Sequence, residues 1–197
     1  MSELKQTRLV TPVGRLAFSQ NLYKTNKKGR YTVAVVFDKA DAEIIAGLRP
    51  LQQLEADLIK DKWGDKKPSG LKTPMKVEVR PDMLEKYDFM TDMVTLNASN
   101  GFEVPVIDSK GMPVSESDIK AGDYVKLSIS GYAYDNELKG IGFNVNGVQL
   151  VKEGEAFYGR QSATDMFGLP PVSLDSLPVA EENNTSEAGT DFTFGNF

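Results

Sequence analysis

The chain has 197 residues, 40% of them hydrophobic, with neither histidine nor cysteine and a formal net charge of −5. Lacking both imidazole and thiol, it cannot assemble a Ser-His-Asp or Cys-His nucleophile, a His/Cys zinc site or a histidine proton shuttle. No run of about 18 apolar residues is present to make a membrane-spanning helix, and the opening MSELKQTR lacks the apolar core of a secretory signal, so a cytosolic setting is expected.

The charge is unevenly placed. Residues 161–197 hold six acids and no Lys or Arg, whereas residues 1–160 hold all 23 bases against 22 acids. A nearly neutral body of about one domain's size, residues 1–160, therefore precedes an acidic tail, residues 161–197, expected to be flexible. The tail ends in Asp191-Phe-Thr-Phe-Gly-Asn-Phe197, and three Phe in the last six residues are more than solubilisation requires. Asp191, Phe192, Phe194 and Phe197 are the candidate contacts to a partner protein.

Within the body, residues 8–19 read as an extended segment with a bend or bulge at Gly14. Residues 21–30, rich in Asn, Gly and Lys, read as a hairpin loop. Residues 31–37 form a strand with Tyr31, Val33, Val35 and Phe37 on one face. Asp38 is a plausible N-cap, and Ile44, Leu48, Leu51, Leu54, Leu58 and Ile59 then recur at helical spacing. One or two helices are expected over roughly residues 41–60, with Pro50 kinking the first or starting the second. Residues 75–80, 93–96 and 102–107 return to period two, the last followed by a turn at 108–111.

The most informative strand is residues 123–134. Alternation places Val125, Leu127, Ile129 and Ala133 on a core face. Tyr124, Lys126, Ser128, Ser130, Tyr132 and Tyr134 fall on the other. Three rings and a cation on one polar face suit base stacking; the same rings could simply pack along a sheet. Gly131 is expected to bend this strand, as corners of small barrels require. Residues 140–151 are the returning strand.

Carboxylates alone could hold a metal for phosphoryl chemistry. The densest group, Asp82, Glu85, Asp88 and Asp92, reads as solvated surface, and no acid elsewhere completes a site. No enzyme, cofactor or metal is expected. Residues 1–80 carry 16 bases against nine acids, while residues 81–160 carry seven against 13. The positive half has two concentrations: Lys24, Lys27, Lys28 and Arg30 between Tyr23 and Tyr31, and Lys60, Lys62, Lys66, Lys67 and Lys72 around Trp63. Cations interleaved with rings are what a single-strand groove needs, since cations follow phosphates while rings stack on bases.

The extended opening segment, the Lys/Arg-rich hairpin, the Tyr-rich late strand, the stretch GFNVNGVQLVKEGEAFYGR and a tail opened by SATDMFG and closed by Phe197 together resemble phage-encoded single-stranded-DNA-binding proteins. The resemblance implies a mainly β body, an OB-fold-like five-stranded antiparallel barrel with additional strands and one or two helices. It also implies sequence-tolerant binding of single strands and a tail that touches replication or recombination proteins, in the cytoplasm of an infected bacterial host. The ending Gly195-Asn196-Phe197 departs from the Asp-Ile-Pro-Phe ending of bacterial relatives. On this reading Lys24, Lys27, Lys28, Arg30 and Lys126 contact phosphates, and Tyr31, Tyr132 and Tyr134 stack bases. Tyr23, Lys62, Trp63, Lys66, Lys67, Lys72 and Tyr124 form a further candidate set. The alternative is a phage structural or interaction module that docks a partner through the tail. Monomer and dimer both stay open.

Overall fold

The computed structural model of the chain describes residues 7–157; the acidic tail and its aromatic end lie outside them. The strands are β1 (Arg8–Val10), β2 (Gly14–Phe18), β3 (Tyr31–Asp38), β4 (Met75–Lys76), β5 (Met93–Asn100), β6 (Val106–Ile107), β7 (Tyr124–Asp135) and β8 (Lys139–Lys152). The helices are α1 (Ala42–Trp63) and α2 (Pro81–Lys86). None of the described helices is long and apolar enough to cross a membrane.

The order β4-β5-β3-β2-β7-β8-β6 forms one sheet, with β1 also paired to β7. β1 and β2 act as one broken strand: β2 pairs with β3 on one side, and both segments pair with β7 on the other. At the break, Thr11 keeps the ladder going with its hydroxyl, which accepts from the Leu127 amide at 3.0 Å. The sheet then curls until β5 meets β8. No ladder joins these two among the described residues; the Asn100 side chain donates to the Val145 carbonyl at 2.8 Å, and Lys72 bridges to Gly140. The result is a five-stranded barrel, partly open at one seam, as an OB-fold is.

Period-two patterning explains the core. Leu16, Val33, Val35, Phe37, Leu96, Leu127, Ile129, Phe143 and Val145 all point inward and are buried. Into this core α1 sends Leu48, Leu51, Leu54 and Leu58, the stripe read from the sequence. The cap is Asp41 rather than Asp38: its carboxylate accepts from the Glu43 and Ile44 amides at 3.0 and 3.1 Å, worth about 1 kcal/mol. Asp38 instead closes a local turn onto the Ala40 amide. Pro50 neither divides nor restarts the helix, which runs 22 residues through it. Pro50 and Ala46 are both exposed, so the carbonyl that loses its amide partner is on the water side.

Two features differ from the expected geometry. The β7–β8 ladder shifts register not at Gly131 but between Tyr124 and Val125 and between Ser128 and Ile129, where Val151 and Asn146 are the extra residues on β8. Gly131 is buried because α1 crosses there. A Cβ at this position would lie 2.5 Å from Leu58 Cδ1 and 3.2 Å from Leu54 Cδ2. Likewise the irregularity expected at Gly14 falls at Ala17, an extra residue between Leu16 and Phe18 in the β2–β3 ladder. A one-residue slip reverses the face of every later residue in the strand, so Phe18 joins the outer surface of the sheet.

That outer surface is half covered. The segment containing α2 and a short 3-10 turn (Asp88–Met90) lays Met90 over Ala17 and Val36, with Val79, Met83 and Leu84 beside them. Residues 77–80 therefore leave the sheet after a two-residue strand, although their alternation suggested a longer one. Of residues 102–107 only Val106–Ile107 pair, in parallel with β8.

Glu55 on α1 is half-buried, and its Oε2 has no hydrogen-bond partner. Burial pushes its carboxyl up from 4.5 to about 7, against the opposing pull of Lys67. The folded chain thus holds a proton there that the unfolded chain releases near pH 4.5. Stability falls as pH rises through this interval and stays reduced above it. Glu55→Gln, which cannot ionise, should melt close to wild type at pH 5. At pH 8 it should gain on the order of 1 kcal/mol after solvent screening, or about 2–4 °C. Calorimetry at both pH values measures this; an equal offset at the two would refute the assignment.

Candidate nucleic-acid interface

Where α2 stops covering the sheet, the outer faces of β3 and β5 carry small and polar side chains: Thr32 and Ala34 beside Asn97 and Ser99. They floor a groove of about 530 Å³, with Phe18, Gln20, Asn21 and Arg30 along its walls and Tyr132 and Tyr134 at the β7–β8 hairpin. In an OB-fold this face and its adjoining loops are where oligonucleotides and oligosaccharides bind.

The loop at residues 19–30 is shaped by Asn26. Its side-chain oxygen accepts from the Lys28 and Arg30 amides at 2.9 and 3.2 Å, and Gly29 takes the positive φ of 68° that the tip requires. Lys27 and Lys28 are exposed on this tip, while Arg30 is returned to the groove. There the Arg30 Nε donates to Ser99 Oγ at 3.1 Å and Nη2 to the Ser99 carbonyl at 3.4 Å. The guanidinium is oriented before any ligand arrives, which lowers the cost of a bidentate contact to phosphate.

Tyr23 and Lys24 belong to the root of the loop. The Tyr23 hydroxyl donates to the Val114 carbonyl at 2.7 Å; burial, then Asp118 and Glu116, push it up to about 12. Lys24 pairs with Glu116 at 3.4 Å, an exposed contact of little energetic weight. Tyr31, expected to stack on a base, sits on the same face as Val33 and Val35 and packs half-buried against the core.

Tyr132 and Tyr134 occupy the polar face of β7 as the alternation predicts. Their ring centroids are 6.2 Å apart at 45°. Burial, then the neighbouring Tyr132, raises the Tyr134 hydroxyl above its ordinary range, so it stays neutral. Trp63, at the end of α1, packs against the core and donates its indole N–H to Asp135 Oδ2 at 3.0 Å. This bond is the largest cause holding the Asp135 carboxyl below its usual range, with Lys139 and Lys62 adding to it. Trp63 thus ties the end of α1 to the end of β7 through Asp135.

Lys60, Lys62, Lys66, Lys67 and Lys72 are exposed around Trp63. The backbone of Lys72 accepts from Ile141 at 2.8 Å and donates to Lys139 at 3.0 Å, which sets the residue beside the tyrosine end of the hairpin. Lys126 and Tyr124 are not brought to the groove. Six residues separate Lys126 from Tyr132 along β7, about 20 Å of extended chain, and Lys126 borders a separate hollow with Val10 and Gln149. Tyr124 is engaged by Lys152 at 4.3 Å and Arg15 at 5.4 Å. Asp82, Glu85, Asp88 and Asp92 are exposed, and no group of three or more acids among the described residues could hold a metal ion. Asp191, Phe192, Phe194 and Phe197 lie outside the described residues.

Sequence reasoning missed Phe18, Asn21, Thr32, Asn97 and Ser99. The signal for the last two is the alternation Leu96-Asn97-Ala98-Ser99, in which small polar residues interrupt an apolar strand. Phe18 gives no such signal, because the Ala17 bulge decides its face.

Comparison with known proteins gives the groove a context. The chain is 28% identical over 183 residues to protein p50 of Acyrthosiphon pisum secondary endosymbiont phage 1, covering 85% of this chain and 92% of that one. Its fold is similar to the solved single-stranded-DNA-binding protein of bacteriophage Enc34, with a TM-score of 0.63 at 19% identity over 83% of this chain and 91% of that one. The same phage protein in complex with single-stranded DNA superposes with a TM-score of 0.66 at 17% identity, covering 78% and 91%. Bacteriophage T7 gp2.5, a single-stranded-DNA-binding protein, gives 0.53 at 15% identity, covering 92% and 99%. The family model described as the Enterobacter phage Enc34 single-stranded-DNA-binding protein matches residues 7–177: this chain belongs to that family of phage proteins.

Proposed function

We propose that the chain is a non-catalytic module that coats single-stranded DNA without strong sequence preference, in the cytoplasm of an infected bacterial host during phage replication, recombination or repair. One observation carries this reading. An uncovered polar sheet face lies between an oriented guanidinium and two outward tyrosine rings. Membership of the family supports it. Lys24, Lys27, Lys28, Arg30 and Lys72 follow the phosphates, and Tyr132 and Tyr134 stack on bases; Lys62, Lys66 and Lys67 extend the positive path past the hairpin. A neutral Tyr134 suits this division of labour, since a phenolate would repel the backbone.

With about four to six phosphates neutralised, log K against log[salt] should slope near −3 to −4, at roughly −0.7 per contact for single strands. Fluorescence anisotropy of a labelled oligothymidylate measures this, with duplex of the same length binding distinctly more weakly. A flat salt response or equal affinity for duplex would refute the single-strand reading.

The tail enters through its charge. Six carboxylates and no cation in residues 161–197 can compete with phosphates for the basic loop, and the aromatic end is then left to a replication or recombination protein when DNA displaces the acids. Truncation from about residue 175 should raise DNA affinity at low salt, by a factor that shrinks as screening increases. Deletion of Phe197 alone should leave DNA affinity nearly unchanged while removing the partner contact. A truncated chain that binds DNA more weakly at low salt would show that the tail contributes to the binding surface.

A further inference from the structure

Glycine inside a strand weakens it relative to alanine, yet β8 places Gly140 and Gly142 two residues apart. The register pairs Gly142 with Tyr132 and Gly140 with Tyr134. At Gly142 a Cβ would lie 2.5 Å from Tyr132 Cζ, 2.6 Å from Oη and 2.8 Å from Cε1. These are its three nearest atoms, and all belong to that one ring. At Gly140 a Cβ would lie 2.4 Å from Tyr134 Oη, but also 2.7 Å from the Lys72 carbonyl. Gly140 therefore serves both a ring and the seam of the barrel, whereas at Gly142 the nearest atoms all belong to Tyr132.

We infer that Gly142, with Gly140, is a positioning residue for single-strand binding: the two glycines form seats that let the Tyr132 and Tyr134 rings lie down over β8. Each ring then has one side against the strand and the other open to a base. The inference rests on the proposed single-strand function. The seats also set how the strand is held. Ring centroids 6.2 Å apart are nearly twice the rise of about 3.4 Å between stacked nucleotides. Two successive bases cannot remain stacked on each other while each covers a ring, so the bound strand is drawn out, one base to each tyrosine. A methyl group at Gly142 would lift the Tyr132 ring and spoil both its angle and this spacing.

A double-mutant cycle on the full chain tests this, with oligothymidylate affinity from anisotropy as the readout and melting temperature recorded for every variant. Tyr132→Ala should weaken binding by roughly 5- to 150-fold, the range for one lost base stack. Gly142→Ala should weaken it by at least about 5-fold. In the Tyr132→Ala background Gly142→Ala should change affinity less than about 2-fold, since no ring remains to be displaced. Equal losses from Gly142→Ala with and without the ring would overturn the inference, as would an unaffected Tyr132→Ala variant. If Gly142→Ala fails to fold but the double variant folds, the ring is what occupies the seat and the inference stands. If the double variant also fails to fold, the glycine is needed by the barrel itself and the inference falls. Absence of oligonucleotide binding by the wild-type chain would instead refute the underlying functional reading.

Discussion

The β7–β8 ladder is the element on which everything else is hung. It is the longest pairing among the described residues, and β7 also receives β1 and β2 while β8 receives β6. Its inner face supplies Val125, Leu127, Ile129, Phe143 and Val145 to the core; its far end supplies the two tyrosines. The core-facing end and the groove-facing end thus belong to one piece of backbone. A groove built on paired strands holds its shape better than one built on loops, which reduces the ordering cost of binding.

The second constraint is how far the outer sheet face is covered. On β3 the change comes within two residues. Val36 is buried beneath Met90, whereas Ala34 and Thr32 face the groove. Had the segment after β4 continued as a strand, Val79, Met83 and Leu84 would not have folded back, and an apolar patch would have been left in water. The α2 excursion covers the apolar part of this face and ends where the polar part begins.

Much of this was legible in the sequence, for reasons that particular residues make plain. Alternation in β7 separated Val125, Leu127 and Ile129 from Tyr132 and Tyr134 correctly, because a twelve-residue strand gives the period room to show. The α1 stripe was legible for the same reason. Other placements depended on more than local residue type. Tyr31 lies in a basic-aromatic run, but strand parity commits it to the core. Trp63 sits among lysines, yet its indole answers to Asp135, 72 residues later in the chain. Lys126 shares a face with Tyr132 but lies about 20 Å along the strand, beside a separate hollow. Gly131 suggested a bend, and only the leucines of α1 reveal it as clearance for a helix. One-dimensional patterns assign faces well; they do not say what crosses them.

The Trp63–Asp135 bond has a practical consequence. The single tryptophan of the chain reports from the joint between helix and hairpin, and its indole N–H is already committed to a carboxylate. Its emission is therefore an intrinsic gauge of whether that joint is closed. A change in tryptophan signal on adding a ligand would report on this joint, a site apart from the groove tyrosines Tyr132 and Tyr134. The joint behind the groove thus carries its own optical probe.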